Sequence, residues 1–406
     1  MTDWAQRFSE YFIRQLAAQG YSPEQIAQWA WKPYRLSELR ITGADRDQDY
    51  SKLELSPADV RKVLMRSAVS SVAANQDFYH QQKIVLIMMP GFTHETLKNL
   101  SWHEQIERKD SPHHIVMLKP GAKGEAPQEQ EYSKGDGLKL LYVKYPRSNA
   151  ASRHINEPIF EMLHNSPSLR AWVAEGRKLF FIGYSYGSPL ALELLADLHA
   201  GRFADSFILK NTQAFLGLCG DIGGSYLADD LLKPNAQLFN IQKLIDFCRR
   251  HPLIGKLAGL GTEQLLSDMA DGMRSLGHEE RQARMQDYAP KLPPQLKYFS
   301  IGAVLPLKDY KRHWWQFNLD DYTMYRQALV SEPISVYNDG QVVLSDNLVP
   351  AAAQLAPKNS IHLGAVRTHH WGVSYKTFNL GNNKFPRLEF YRALIRTVIE
   401  ATEQRT

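Results

Sequence analysis

The sequence predicts an α/β fold in which a mainly parallel sheet is covered by helices on both faces. From residue 83 onwards, short apolar runs alternate with amphipathic stretches, as strands joined by helices do. Several runs are apolar at successive positions, which strands buried on both faces require. The chain has 406 residues, 44% hydrophobic and 22% charged, so it can build a large core. Disordered, collagen-like and disulfide-scaffold classes are excluded.

Seven segments are predicted as strands because they are short, apolar and bounded by polar or turn-forming residues. They are residues 83–89, 114–118, 138–145, 178–183, 206–210, 297–305 and 360–366. Amphipathic helices are predicted within residues 158–176, 188–201 and 385–404. Residues 120–137 are polar and rich in turn-forming residues, which predicts a solvated loop.

The predicted α/β core comprises residues 81–225 and 297–406, with residues 226–296 inserted between two of its strands. The inserted residues contain helical patterns and no convincing strand, which indicates a helical cap. Residues 1–80 are predicted as an N-terminal helical extension, with helix starts at Ser22 and Ser56, each followed by Pro. Its apolar stripe favours packing against the chain's own core, with a membrane or a partner as the alternative. The stripe consists of Trp4, Phe8, Tyr11, Phe12 and Leu16.

The charge balance argues against nucleic-acid binding. Lys and Arg total 48 against 43 Asp and Glu, so the formal net charge is +5, and the basic residues are scattered. The N-terminal residues carry charges throughout, and no window approaches the roughly 18 successive apolar residues of a transmembrane helix. Cys219 and Cys248 are predicted to be separate thiols of a reducing compartment, with a disulfide between them as the alternative. The expectation is a cytoplasmic protein without a transmembrane segment.

One motif gains its meaning from its position. Gly-Tyr-Ser-Tyr-Gly at residues 183–187 directly follows an apolar strand and directly precedes an amphipathic helix. This context predicts a sharp turn with Ser185 at its apex. Both glycines are expected because a side chain at either position would collide with neighbouring backbone. A tight turn without chemistry is the alternative interpretation.

A serine hydroxyl becomes nucleophilic when a histidine accepts its proton and a carboxylate orients that histidine. In a fold with this turn, the acid and then the histidine follow late strands. Asp339 lies in an Asn-Asp-Gly turn after an apolar stretch, with Asp346 as the reserve candidate. A purely turn-forming role for Asp339 is the alternative. His369 and His370 follow the last predicted strand.

At four places the sequence resembles the α/β-hydrolases, in particular bacterial lipases and related carboxylesterases. Residues 183–187 match the turn that carries the nucleophile. Residues 338–340 resemble the acid loop, and residues 370–372 resemble the histidine loop. Residues 223–229, Gly-Gly-Ser-Tyr-Leu-Ala-Asp, are similar to a lipase segment that has Pro in place of Tyr. The resemblance spans approximately residues 83–400.

The resemblance implies an α/β-hydrolase fold and a role for each matched residue. Ser185 would be the nucleophile, Asp339 the acid and His370 the base. His370 is preferred to His369 because the match places the base directly before Trp371.

Acyl transfer also requires hydrogen-bond donors at the oxygen that becomes negative. One predicted donor is the backbone N–H of Tyr186, at the positive end of the helix that follows. The other is the N–H of Phe92, in the loop after the first long strand. Lipases typically carry His-Gly in this loop, whereas this chain has Pro90-Gly91.

These features predict a serine hydrolase that cleaves carboxylic esters through an acyl-enzyme. The expected substrate is a small-molecule or lipid ester. No cofactor is implied, and no group of residues has the spacing of a metal site. Residues 226–296 are expected to act as a lid over the site. A thioesterase or acyltransferase with the same triad, and a non-enzymatic scaffold that retains the fold, are the alternatives.

Overall fold

The computed structural model describes most of the chain, with gaps. The described residues are 3–33, 52–66, 78–92, 113–121, 125–145, 150–203, 207–233, 235, 250, 263–305, 309, 360–374 and 385–404. Asp339, its reserve Asp346, and Cys248 lie outside these residues. The predictions that concern them therefore stay predictions.

The described residues form one eight-stranded sheet in the order β3-β2-β4-β1-β5-β6-β7-β8. All neighbouring strands are parallel except β2 and β3, which are antiparallel. The prediction of a mainly parallel sheet is therefore confirmed. The strands are β1 (Ile84–Met89), β2 (His114–Lys119), β3 (Gln128–Lys134), β4 (Lys139–Val143), β5 (Lys178–Tyr184), β6 (Thr212–Leu218), β7 (Lys297–Ala303) and β8 (Ile361–Val366).

Helices cover both faces of the sheet. They are α1 (Trp4–Ala18), α2 (Pro23–Ile26), α3 (Pro57–Met65), α4 (Asn156–His164), α5 (Pro167–Ala174), α6 (Gly187–His199), α7 (Phe207–Asn211), α8 (Tyr226–Leu232), α9 (Glu263–Leu276), α10 (His278–Tyr288) and α11 (Arg387–Glu403). Within the described part of the chain, no helix is long and apolar enough to cross a bilayer.

Two buried apolar clusters lie on opposite faces of the sheet because strand side chains alternate in direction. In β1, Leu86 and Met88 belong to the cluster that α1 and α11 cover. Val85 and Ile87 belong to the cluster that α4, α5 and α6 cover. Both faces of β1 are therefore buried, which explains its continuous apolar sequence.

The N-terminal stripe packs against the C-terminal helix. Phe12 lies 6.0 Å from Phe390 and 6.1 Å from Phe385, measured between ring centroids. The Tyr11 hydroxyl donates to the Glu400 carboxylate at 2.7 and 2.8 Å. α1 therefore contributes to the chain's own core.

The predicted strand at residues 206–210 is wrong. The structure has the short helix α7 there, and β6 begins after it at Thr212. Side chains close the end of this helix, since Asn211 Nδ2 donates to the Phe207 carbonyl and Thr212 Oγ1 to the Ile208 carbonyl. A run of only three apolar residues, 207–209, fits either period, so the pattern did not separate a helical turn from a strand.

The solvated loop predicted at residues 120–137 is wrong in its second half, where β3 pairs with β2 at the edge of the sheet. The side chains of β3 are exposed or half-buried, so this strand does not need the apolar residues from which the other strands were predicted. The Glu129 carboxylate on β3 accepts hydrogen bonds from the hydroxyls of Ser166 and Ser168 at the start of α5. A polar side chain thus attaches this edge strand to the helix layer.

Replacing Phe12 by Ala is expected to lower the free energy of unfolding by about 3–5 kcal/mol, because a buried ring leaves a cavity between α1 and α11. Guanidinium unfolding followed by circular dichroism measures the change. Met65→Ala is the control, since Met65 is 83% exposed, and should alter stability by less than about 0.5 kcal/mol. Equal midpoints for the two variants would contradict a core role for α1.

Candidate active site

Ser185 stands at the apex of the turn between β5 and α6, with a backbone φ of 52°. This left-handed conformation costs an L-residue on the order of 1 kcal/mol or more, so neighbouring contacts must hold it. The Ser185 N–H donates to the Leu218 carbonyl at 3.1 Å. The Ser185 carbonyl accepts from the N–H groups of Ser188 at 3.0 Å and Asp221 at 3.1 Å.

The two glycines of the motif lie where a side chain has no room. A Cβ on Gly183 would lie 2.4 Å from Ser188 Cα, and one on Gly187 would lie 2.2 Å from the Met89 carbonyl oxygen. In both cases the obstacle is backbone, which cannot rotate aside. Gly187 therefore allows the start of α6 to approach the end of β1.

The structure brings His370 to Ser185. His370 begins a 3-10 turn after β8, and its Nε2 lies 2.9 Å from Ser185 Oγ. The His370 side chain is buried, and the Tyr184 hydroxyl donates to its backbone carbonyl at 2.9 Å. The hydroxyl and the imidazole are thus within hydrogen-bonding distance for proton transfer.

His369 is used differently. Its Nδ1 accepts a hydrogen bond from the Gly372 N–H at 3.0 Å, and its carbonyl accepts from the same N–H at 2.9 Å. The side chain therefore closes the loop of residues 367–373, here called the His loop. Asp339, the predicted acid, lies outside the described residues.

The loop after β1 lies against Ser185. A Cβ on Gly91 would be 2.9 Å from Ser185 Cβ, so this glycine permits the close approach. The Tyr145 hydroxyl donates to the Pro90 carbonyl at 2.7 Å. The Phe92 ring meets the Tyr186 ring edge-on, with centroids 5.9 Å apart. The two residues predicted to supply oxyanion donors are therefore neighbours beside Ser185.

The side chain of Tyr186 anchors the turn from the other side. It is fully buried, and its hydroxyl lies 2.8 Å from Ser275 Oγ and donates to the Ala150 carbonyl at 3.2 Å. Burial raises the pKa of this phenol well above its usual value. Tyr186 thus stays neutral and connects the turn to α9.

A buried ion pair connects α6 to α10. Glu193 on α6 is 4% exposed and accepts hydrogen bonds from Arg281 Nη1 at 2.8 Å and Arg284 Nε at 3.1 Å. Burial alone would raise the pKa of the Glu193 carboxyl, but the two guanidinium groups outweigh burial and hold it below its usual value. Sequence reasoning missed these residues. The available signal was Glu193 itself, a carboxylate within an otherwise apolar helix, which requires a partner.

Residues 223–229, which resemble the lipase segment, follow β6 and contact the junction of α9 and α10. The Ser225 N–H donates to the Leu276 carbonyl at 2.9 Å, and Asp229 Oδ2 accepts from the His278 N–H at 2.9 Å. Among the described residues, no three His, Cys, Asp or Glu side chains converge as they would around a metal ion.

No protein-family model and no curated protein matches this sequence. Among solved structures, the metagenomic carboxyl esterase MGS0156 aligns with a TM-score of 0.57 at 18% identity, covering 99% of this chain and 93% of its own. The mature lipase BlEst2 of Bacillus licheniformis aligns with a TM-score of 0.39 at 13% identity, covering 72% of this chain and 86% of its own. The alignment to MGS0156 and the sheet topology confirm the predicted α/β-hydrolase fold.

The strain at Ser185 predicts an unusual order of stabilities. Ser185→Gly should be more stable than Ser185→Ala by about 1 kcal/mol, because only glycine adopts a positive φ without strain. Chemical unfolding of the two variants measures the difference. Ser9, in the middle of α1, is the control, where glycine should be less stable than alanine by about 0.5–1 kcal/mol. The same order at both positions would contradict strain at Ser185.

Proposed function

We propose that the protein is a serine hydrolase that cleaves carboxylic esters through an acyl-enzyme. The observation that carries the proposal is the 2.9 Å separation of His370 Nε2 and Ser185 Oγ at the turn between β5 and α6. A hydroxyl on a strained turn in contact with an imidazole is the arrangement that nucleophilic acyl transfer requires.

In the proposed reaction, Ser185 Oγ attacks the ester carbonyl while His370 Nε2 accepts the hydroxyl proton. The carbonyl oxygen becomes negative, and the backbone N–H groups of Tyr186 and Phe92 stabilise it. His370 then protonates the leaving alcohol. Water attacks the acyl-enzyme with His370 as base, which releases the acid and restores Ser185. Asp339 orients the His370 ring and balances its positive charge.

Two further features support this assignment. The Tyr186 N–H lies where α6 begins, so the helix dipole favours negative charge there. In the described part of the loop that carries Phe92, residues 90–92, the Tyr145 hydroxyl holds the Pro90 carbonyl and the Phe92 ring contacts the Tyr186 ring. Donors held before the reaction do not have to be reoriented when charge develops.

We propose a small-molecule or lipid ester as the substrate. The aligned protein MGS0156 is named a carboxyl esterase, which agrees with ester cleavage. Residues 226–296 are proposed as the lid over the site.

A fluorophosphonate probe tests the nucleophile. The protein should be labelled, and Ser185→Ala should abolish both the labelling and the hydrolysis of a p-nitrophenyl ester. An unlabelled protein that is fully folded would favour the scaffold alternative. Repeating the assay with an added alcohol distinguishes hydrolysis from acyl transfer, since an acyltransferase would form the new ester.

The acid is tested by comparing Asp339→Asn with Asp346→Asn. Loss of the carboxylate that orients His370 should lower kcat by about 10⁴-fold. We expect this loss in Asp339→Asn and near wild-type kcat in Asp346→Asn, measured with the same p-nitrophenyl ester. The reverse result would assign the role to Asp346.

The loop after β1 is tested by Tyr145→Phe, which removes the hydroxyl that holds Pro90. We expect kcat to fall roughly tenfold with KM unchanged, because a displaced Phe92 N–H weakens stabilisation of the transition state only. The control is Tyr298→Phe, which removes a hydroxyl that donates to the Pro293 carbonyl at 2.8 Å. Equal kcat values for the two variants would argue against a role for this loop in stabilising the oxyanion.

A further inference from the structure

The His loop begins at Arg367, three residues before His370. The guanidinium of Arg367 binds Asp309 through two hydrogen bonds, both 2.8 Å long. Its Nη2 also donates to Glu54 Oε1 at 3.4 Å, and its Cζ lies 4.5 Å from the centroid of the Trp31 ring. Two of these three partners, Trp31 and Glu54, belong to the described residues 3–33 and 52–66, here called the N-terminal segment.

The backbone of the N-terminal segment meets the same point. Ala30 forms an antiparallel bridge with Val366, the last residue of β8. The Arg367 N–H donates to the Trp29 carbonyl at 2.9 Å. A second antiparallel bridge pairs Trp31 with Glu54, so the two residues that contact the Arg367 side chain face each other on neighbouring backbone segments. The N-terminal segment therefore covers the edge of β8 where the His loop begins.

The His loop is short and closed on itself, so a displacement of Arg367 is transmitted to His370. The Thr368 N–H donates to the Val366 carbonyl at 3.1 Å. A Cβ on Gly372 would lie 1.9 Å from Thr368 Oγ1, so the two sides of the loop are in direct contact. The chain between Arg367 and His370 thus has little freedom to absorb a shift.

We propose that the N-terminal segment positions the catalytic base, with Arg367, Trp31 and Glu54 as positioning residues. The inference rests on the proposed role of His370. Arg367 is 7% exposed and presents a planar fork to one carboxylate and a flat face to an indole, which a lysine ammonium cannot reproduce. The segment thereby fixes the direction in which His370 leaves β8.

The first test is Arg367→Lys. This variant keeps the positive charge but loses the paired hydrogen bonds to Asp309 and the stacking on Trp31. We expect the substitution to displace His370 by less than about 1 Å, which should lower kcat roughly tenfold and leave KM unchanged. Proton transfer depends on geometry more steeply than substrate binding does. The rate of fluorophosphonate labelling at Ser185 should fall by the same factor.

The matched control is Arg396→Lys on α11. Arg396 also joins the N-terminal helices to the rest of the chain, with Nε 2.9 Å from Glu400 Oε1 and Cζ 4.6 Å from the Tyr11 ring centroid. Like Arg367, it pairs with a carboxylate and lies over an aromatic ring of the N-terminal residues, but this ring is Tyr11 on α1 and the carboxylate belongs to α11 itself. We expect a loss of stability without a change in kcat. Equal effects of the two substitutions on kcat would overturn the inference.

Glu54→Gln provides a second variant that is safe for folding, because the Glu54 side chain is 34% exposed. We expect a twofold to threefold fall in kcat, and no further fall when the substitution is added to Arg367→Lys. The control Glu24→Gln breaks the ion pair with Arg61 and should leave kcat unchanged. If Arg367→Lys does not fold, the comparison of Glu54→Gln with Glu24→Gln tests the inference by itself. Equal kcat values for these two variants would overturn it.

Failure of the proposed function gives a different result. If Ser185→Ala or His370→Ala retains ester hydrolysis, the proposed chemistry is wrong, whatever Arg367 does. If both variants are inactive while Arg367→Lys and Glu54→Gln keep wild-type kcat, the chemistry stands and the positioning role is wrong.

Discussion

The left-handed backbone of Ser185 is the constraint on which the site depends, because it turns the chain from β5 into α6 and lifts the hydroxyl out of the sheet. Its cost is offset by contacts from a neighbouring strand and the loop that follows it. The end of β6 accepts the Ser185 N–H, and the loop after β6 donates to its carbonyl. The β1 backbone leaves no space for a side chain at Gly187. The register of the parallel strands therefore positions Ser185.

Features that depend on one continuous stretch of the sequence could be predicted, whereas contacts between residues that are distant in the sequence could not. The turn at Ser185 was predicted from the strand before it and the helix after it, and the buried strands were predicted from continuous apolar runs. The preference for His370 over His369 came from the resemblance of residues 370–372 to a histidine loop. β3 was not predicted because an exposed edge strand carries no apolar pattern. The Arg367 and Glu54 pair is 313 positions apart in sequence, and a single ion pair produces no periodic signal.

The buried Glu193 bears on how the proposed lid opens. Separating α10 from α6 would leave this carboxylate without Arg281 and Arg284, and breaking a buried pair costs about 3–5 kcal/mol. The hydrogen bond between Tyr186 and Ser275 would also be lost where α9 ends. α10 and the end of α9 are therefore expected to remain fixed to α6.

The position of His370 raises a problem of distance. Two strands, β6 and β7, lie between β5 and β8, so the ends of β5 and β8 are about 14 Å apart at a spacing of about 4.8 Å per strand. The His loop must cross this distance and still place His370 Nε2 at Ser185. Tyr184 fixes the end of the loop that lies near β5, because this residue directly precedes Ser185 and its hydroxyl donates to the His370 carbonyl. A loop fixed only there could still pivot about that bond, and a support at Arg367, where the loop leaves β8, removes this freedom.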